Sequence, residues 1–153
     1  MKSKGDILKV LLDTSFILPT LGIDTGEQVY KGLKKLSSLE AEIYYSRFSI
    51  LESLWIATRI AKAQGFDMER FSLGLRSLIE GSRYLRVEEG SEIFLEALRL
   101  YKLGHRDMID DILYATSAIL DIQLLTLDVE LLEFIKGKGL KNTLVDLSQI
   151  EIG

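Results

Sequence analysis

The side chains best suited to chemistry in this sequence are acidic and far apart in the chain: Asp13, Glu52, Asp110 and Asp128, with Asp107 and Asp111 flanking the third. Asp13 directly follows the apolar run Ile7–Leu12, and Asp128 follows the run Ile122–Leu127 in the same way. Asp107 and Asp110 fall on the first turn of a helical stretch that precedes the second run. Glu52 sits about two turns into another helical stretch, among Ile50, Leu51 and Leu54. A carboxylate among apolar neighbours needs a partner, because an unpaired buried charge costs several kcal/mol or more. Four carboxylates drawn together repel one another. A hard divalent cation such as Mg2+ or Mn2+, with its preference for oxygen ligands, relieves that repulsion.

Each acid also has a purely structural reading. Asp107 suits an N-cap, with Asp110 favoured near the positive end of the helix dipole. Asp128 and Asp13 suit caps of the helices that follow them. Glu52 faces water if the helix is phased differently. Capping alone does not explain why all of these sit beside strand ends.

The elements that must position them alternate in type. Apolar runs at Ile7–Leu12, Ala41–Tyr45, Tyr84–Val87, Ile122–Leu127 and Thr143–Val145 read as strands. Between them, helical spacing predicts a short helix over Thr14–Leu21, broken at Pro19 and Gly22, and a helix over Gly26–Leu39. A long helix capped by Ser46 carries a stripe of Ile50, Leu51, Leu54, Trp55 and Thr58 and closes at Gly65. Further helices are predicted over Asp67–Glu80, Ser91–Lys102, Asp107–Leu120 and Val129–Lys136. Strands separated by helices imply a three-layer α/β/α fold around a parallel sheet of four or five strands. Ligands in such sheets bind beyond the carboxyl ends of the strands, where Asp13 and Asp128 are expected.

Composition narrows the function classes. The 153 residues fit a single domain spanning 1–153, without linkers or repeats. There is no cysteine, which excludes disulfide and thiolate-metal frameworks. Lys2 and Lys4 precede an apolar run, but Lys9 and Asp13 interrupt it, so neither a signal peptide nor a membrane span is expected and the cytoplasm is the expected location. The net charge of −4 opposes nucleic-acid binding unless the acids are concentrated in a site that metal neutralises. Gly137-Lys138-Gly139 lacks the spacing of a phosphate loop.

Four motifs in order resemble the PIN-domain family of metal-dependent ribonucleases, including the toxins of VapBC-type toxin–antitoxin pairs. They are Val10-Leu11-Leu12-Asp13-Thr14-Ser15, Ser49-Ile50-Leu51-Glu52-Ser53-Leu54, the helix opening Asp110-Asp111 with Ala115-Thr116 after it, and Leu124-Leu125-Thr126-Leu127-Asp128. The resemblance covers essentially the whole chain. It implies that Asp13, Glu52, Asp110 and Asp128 bind one or two Mg2+ or Mn2+ ions and catalyse RNA hydrolysis to a 5′-phosphate and a 3′-hydroxyl. Asp110 takes the third ligand position with Asp111 as the alternative, and Asp107 is a possible additional ligand. Thr14, Ser15 and Thr126 would hydrogen-bond the carboxylates or metal waters. A small antitoxin partner and a homodimer are further implications.

The remaining features have plain readings. His105 is expected in a surface loop, and Trp55 in the core or an interface. Arg47, Arg106 and the Lys136/Lys138/Lys141 group either contact an RNA backbone or form a solvated face. Two other function classes compete. One is a PIN-like binding or assembly module with a weak site. The other is a haloacid-dehalogenase-like phosphohydrolase, which requires a second acid where Ser15 stands.

Overall fold

The computed structural model describes residues 7–62 and 65–146; Lys2, Lys4 and the two ends of the expected 1–153 domain lie outside the described residues. Five strands form one parallel sheet: β1 (Leu8–Leu12), β2 (Ala41–Tyr45), β3 (Tyr84–Arg86), β4 (Gln123–Leu125) and β5 (Leu144–Val145). Their spatial order is β3-β2-β1-β4-β5, so β1 is central, with Leu12 level with Leu125 of β4 and Val10 level with Ile43 of β2. The sheet reverses its winding on either side of β1, which is where a crevice opens at the carboxyl edge.

Both faces of β1 are apolar because both are covered. Val10 and Leu12 point into one core, built with Phe16, Leu21, Val29 and Leu36 from α1 (Thr14–Ile17), the 3-10 turn Leu18–Leu21 and α2 (Glu27–Ser37). Leu11 points into the other, built with Ala97, Leu113 and Ile135 from α5 (Ser91–Leu103), α6 (Met108–Leu120) and α7 (Val129–Gly137). Val10, Leu11 and Leu12 are all fully buried. This is the three-layer arrangement that the alternating elements imply. The strand β4 is shorter than the apolar run Ile122–Leu127, because Thr126 and Leu127 already turn towards α7.

The long helix α3 (Arg47–Ala61) forms as expected, with the Ser46 hydroxyl accepting from the Phe48 amide at 3.1 Å. Its phase is different. Ser49, Ser53 and Ala57, spaced four apart, make the buried side, whereas Leu51, Leu54 and Trp55 are 40, 42 and 51% exposed. Small side chains allow α3 to lie against α1 and α6, and the Ser53 hydroxyl is satisfied internally by the Ser49 carbonyl at 2.7 Å. Trp55 is therefore not a core residue.

The helix α4 (Met68–Glu80) crosses the 3-10 turn at Gly74. A Cβ at that position would collide with the Thr20 carbonyl oxygen and stand 2.8 Å from the Leu21 Cα, both backbone atoms of a turn anchored in the core by Leu18 and Leu21. Gly74→Ala should destabilise the protein by about 1–3 kcal/mol despite the higher helix propensity of alanine. Chemical denaturation measures this, and a stability equal to or above that of the unsubstituted protein would show that α4 is free to shift.

Candidate metal centre

Parallel pairing brings the first and fourth motifs side by side. The Asp13 amide donates to the Leu125 carbonyl at 3.1 Å, and the Thr126 amide donates to the Val145 carbonyl at 3.1 Å. Asp13 and Thr126 thus leave the sheet on one edge, and Asp128 follows two residues later. The amino end of α6 and the flank of α3 close over the same edge. The resulting cavity, about 340 Å³, is lined by Asp13, Thr14, Ser15, Glu52, Asp107, Asp110, Leu127 and Asp128. All four acids singled out in the sequence are brought together here.

Glu52 reaches the cavity from the side of α3 that carries Ser49 and Ser53, and it is half-buried. Of its apolar neighbours, Leu51 and Leu54 are exposed, while Ile50 packs against the core. Glu52 lines the cavity, although the apolar stripe expected around it is not the buried side of the helix.

Capping and the cavity share residues. Asp107 accepts the Asp110 amide at 3.2 Å, and Asp128 accepts the Leu131 amide at 3.0 Å. Each bond uses Oδ1, and the positive ends of α6 and α7 favour the carboxylates there. Asp13 occupies the cap position of α1 without a side-chain capping bond.

Crowding has an electrostatic signature. Burial pushes the Asp13 carboxyl from 3.8 to about 6, with the Asp128 charge adding to it while the Thr126 hydroxyl and the Phe16 and Ser15 amides pull the other way. Asp110 is pushed to about 9, first by burial, then by sharing a hydrogen bond with Asp128, then by the charges of Asp107, Asp128 and Asp13. One Asp13 oxygen, Oδ1, is buried without a hydrogen-bond partner, and so is the Thr14 hydroxyl. An orphaned carboxylate oxygen facing a cluster of like charges is the environment a hard cation satisfies. The donor set fits Mg2+ or Mn2+.

Two expectations need correction. Asp111, the alternative ligand, does not line the cavity: it is fully buried on another side of α6, with Oδ1 2.7 Å from His105 Nδ1. His105 is not a surface-loop residue. It is 7% exposed and packs against the Phe134 ring with centroids 5.2 Å apart. A buried aspartate on an apolar helix face needs a donor, and the residue six positions earlier supplies it. One ring nitrogen of His105 and carboxylate oxygens of Asp110 and Asp128 all lie within 4.8 Å of one another. The signal available in the sequence was Asp111 itself, at a core-facing position of α6.

Thr14 and Ser15 line the cavity, and Thr126 holds the turn into α7, its hydroxyl accepting the Asp128 amide at 3.0 Å. A second cavity of about 310 Å³ shares Leu127 and Asp128 with the first and is bordered by Lys136, Gln28 and Asn142. Of the expected basic group, Lys141 is engaged by Asp121 at 2.7 Å, and Arg106 lies over the Tyr101 ring at 5.8 Å.

The PIN-domain model matches residues 10–136, and the chain belongs to that family. This removes the dehalogenase-like alternative. No curated protein sequence matches the chain. Among solved structures, it is similar to PAE2754 from Pyrobaculum aerophilum, with a TM-score of 0.64 and 18% identity over 94% of this chain and 93% of that one. It is also similar to VapBC2 from Rickettsia felis bound to a promoter DNA fragment, with a TM-score of 0.62 and 14% identity over 91 and 98% of the two chains. A toxin–antitoxin complex from Klebsiella pneumoniae gives a TM-score of 0.59 and 14% identity over 92 and 99%. At these identities the structures bear on the fold alone.

The raised carboxyls fix a sign for pH dependence. At Asp13 and Asp110 the folded protein binds protons more tightly than the unfolded chain, so the stability these two groups contribute is fully present below about pH 4. It is lost as pH rises through about 6 for Asp13 and on towards about 9 for Asp110. Without divalent metal, Asp110→Asn should therefore melt higher than the unsubstituted protein at pH 8, with the gap narrowing at pH 5. Each gain of about 1 kcal/mol corresponds to about 2–4 °C at this size. Parallel melting curves across that pH range would show that the carboxylates do not strain one another.

Proposed function

We propose that the chain is a metal-dependent endoribonuclease and the toxin of a toxin–antitoxin pair. The observation that carries this reading is the convergence of Asp13, Glu52, Asp110 and Asp128, from four segments, on one cavity in which a buried Asp13 oxygen has no partner. Those four carboxylates would hold one or two Mg2+ or Mn2+ ions, with Asp107 in reach as a further ligand. A divalent ion bound there lowers the pKa of water and neutralises charge on a phosphate. Thr126 orients Asp128 and tempers Asp13, while Thr14 and Ser15 complete the wall against which the carboxylates are set. Lys136, which borders the adjoining cavity, would take the next phosphate of a single strand. The net charge of −4 then ceases to be an obstacle, since five of the 23 acids line this cavity and two divalent cations held there would offset that excess.

The toxin role is supported by family membership and by likeness to proteins from toxin–antitoxin complexes. A small antitoxin protein is the partner proposed. A homodimer is proposed as well, with Leu54 and Trp55 of α3 and Leu95 and Leu98 of α5 as exposed apolar side chains that such contacts cover. No helix among the described residues is long and apolar enough to cross a membrane. Action on cytoplasmic RNA is part of the same proposal.

Purified protein should cleave single-stranded RNA with Mn2+ or Mg2+ and lose cleavage in excess chelator. Asp13→Asn should lower the rate about a thousandfold, as expected for losing several kcal/mol of metal-derived stabilisation. Its circular dichroism should remain that of the parent. Cleavage undiminished in this variant would refute the assignment. Bound Mn2+ without any cleavage would point instead to a binding or assembly module.

A further inference from the structure

His105 is the one histidine of the chain, and its ring is held on two sides. Nδ1 lies 2.7 Å from Asp111 Oδ1, and the ring face packs on Phe134. Asp111 is fully buried and Asp110, its neighbour in sequence, points into the acidic cavity. Adjacent positions on a helix are about 100° apart, so the two carboxylates serve different surroundings.

The pairing fixes which ring nitrogen is free. A buried acceptor at Nδ1 favours the tautomer with the proton on Nδ1, leaving the lone pair on Nε2. A His105 ring nitrogen, Asp110 and Asp128 already lie within a mutual 4.8 Å. Ligands on one octahedral Mg2+ or Mn2+ stand roughly 3 Å apart when adjacent and roughly 4.2 Å apart when opposite, so rotamer adjustments on the order of an ångström would close the set around an ion. A carboxylate that grips the far nitrogen of a histidine recurs behind metal-ligating histidines, where it sets the tautomer and the ring orientation. Proximity to Asp110 follows from its place next to Asp111, but Asp128 comes from a separate segment of the chain, and it too falls within that distance. The unpartnered Asp13 oxygen points independently to a cation at this edge.

We propose that His105 is a nitrogen ligand of the metal centre, positioned by Asp111, and that it biases the centre towards transition-metal ions over Mg2+. The inference rests on the metal-centre reading above and adds a fifth residue to it. Imidazole suits ions that accept nitrogen donors, whereas Mg2+ favours oxygen and retains its waters.

The test uses the full chain with Mn2+ and no RNA, so it stands apart from nuclease activity. Electron spin-echo spectroscopy of the unsubstituted protein should show nitrogen coupling from a directly bound imidazole. In His105→Asn the side-chain amide can still donate to Asp111 but offers no distal nitrogen. There the coupling should vanish, and the preference for Mn2+ over Mg2+ in competition calorimetry should fall about tenfold or more. Bound Mn2+ without nitrogen coupling in the unsubstituted protein overturns the role of His105 and leaves the carboxylate centre standing. No Mn2+ binding at all removes both. Because the decisive spectrum needs no substitution, poor folding of the variant does not blunt the test.

Discussion

Carboxylates that repel one another are held at one edge of a sheet whose interior gives them no alternative. Val10, Leu11 and Leu12 are completely buried, so β1 cannot slide without exposing one of two cores, and Asp13 is fixed at the point where the strand leaves the sheet. Pairing with β4 then sets Thr126 level with it, and Asp128 follows through a turn too short to diverge. Hydrophobic burial in the two cores is large compared with the electrostatic cost of a few half-buried acids. The fold can therefore impose the cluster, and the raised Asp13 and Asp110 carboxyls are the visible cost of doing so. Strain of this kind at a ligand site is a recurrent trade of stability for function.

Helix ends soften that cost without removing it. Asp107 and Asp128 each give one oxygen to a cap and keep the other, and the amino ends of α6 and α7 add positive potential at the same edge. Capping and the proposed ligand role are thus compatible in one arrangement. A residue that caps a helix at the carboxyl edge of a parallel sheet is already aimed at the crevice. The structural reading of these aspartates does not compete with the functional one.

Legibility from sequence followed the strength of periodic signals. The five strands and the order of helices were visible because β1 is apolar on both faces and the helices carry apolar stripes. The four acids were visible because each stands at a fixed offset from an element end. The phase of α3 was not visible. Its buried side is Ser49, Ser53 and Ala57, and a rule that buries large apolar residues selects Leu51, Leu54 and Trp55 instead. Close helix approach inverts that rule, since small residues mark the contact and large ones are left outside. His105 was missed for a related reason. A lone histidine next to Arg106 in a loop looks solvated until the aspartate six residues later is known to face inward.

The adjacent pair Asp110 and Asp111 shows where sequence reasoning ends and geometry decides. Both residues carry the same side chain, and an offset counted from Ala115-Thr116 separates them only by analogy. On the helix the two are separated, because Asp110 lines the crevice and Asp111 is fully buried beside His105. A buried carboxylate facing apolar surroundings is stable only with a donor, which commits the chain to His105 at that place. One nitrogen of the same ring lies within 4.8 Å of carboxylate oxygens of Asp110 and Asp128. The inward aspartate and the outward one therefore share a neighbour, since the ring that bonds Asp111 also lies close to the carboxylates of Asp110 and Asp128.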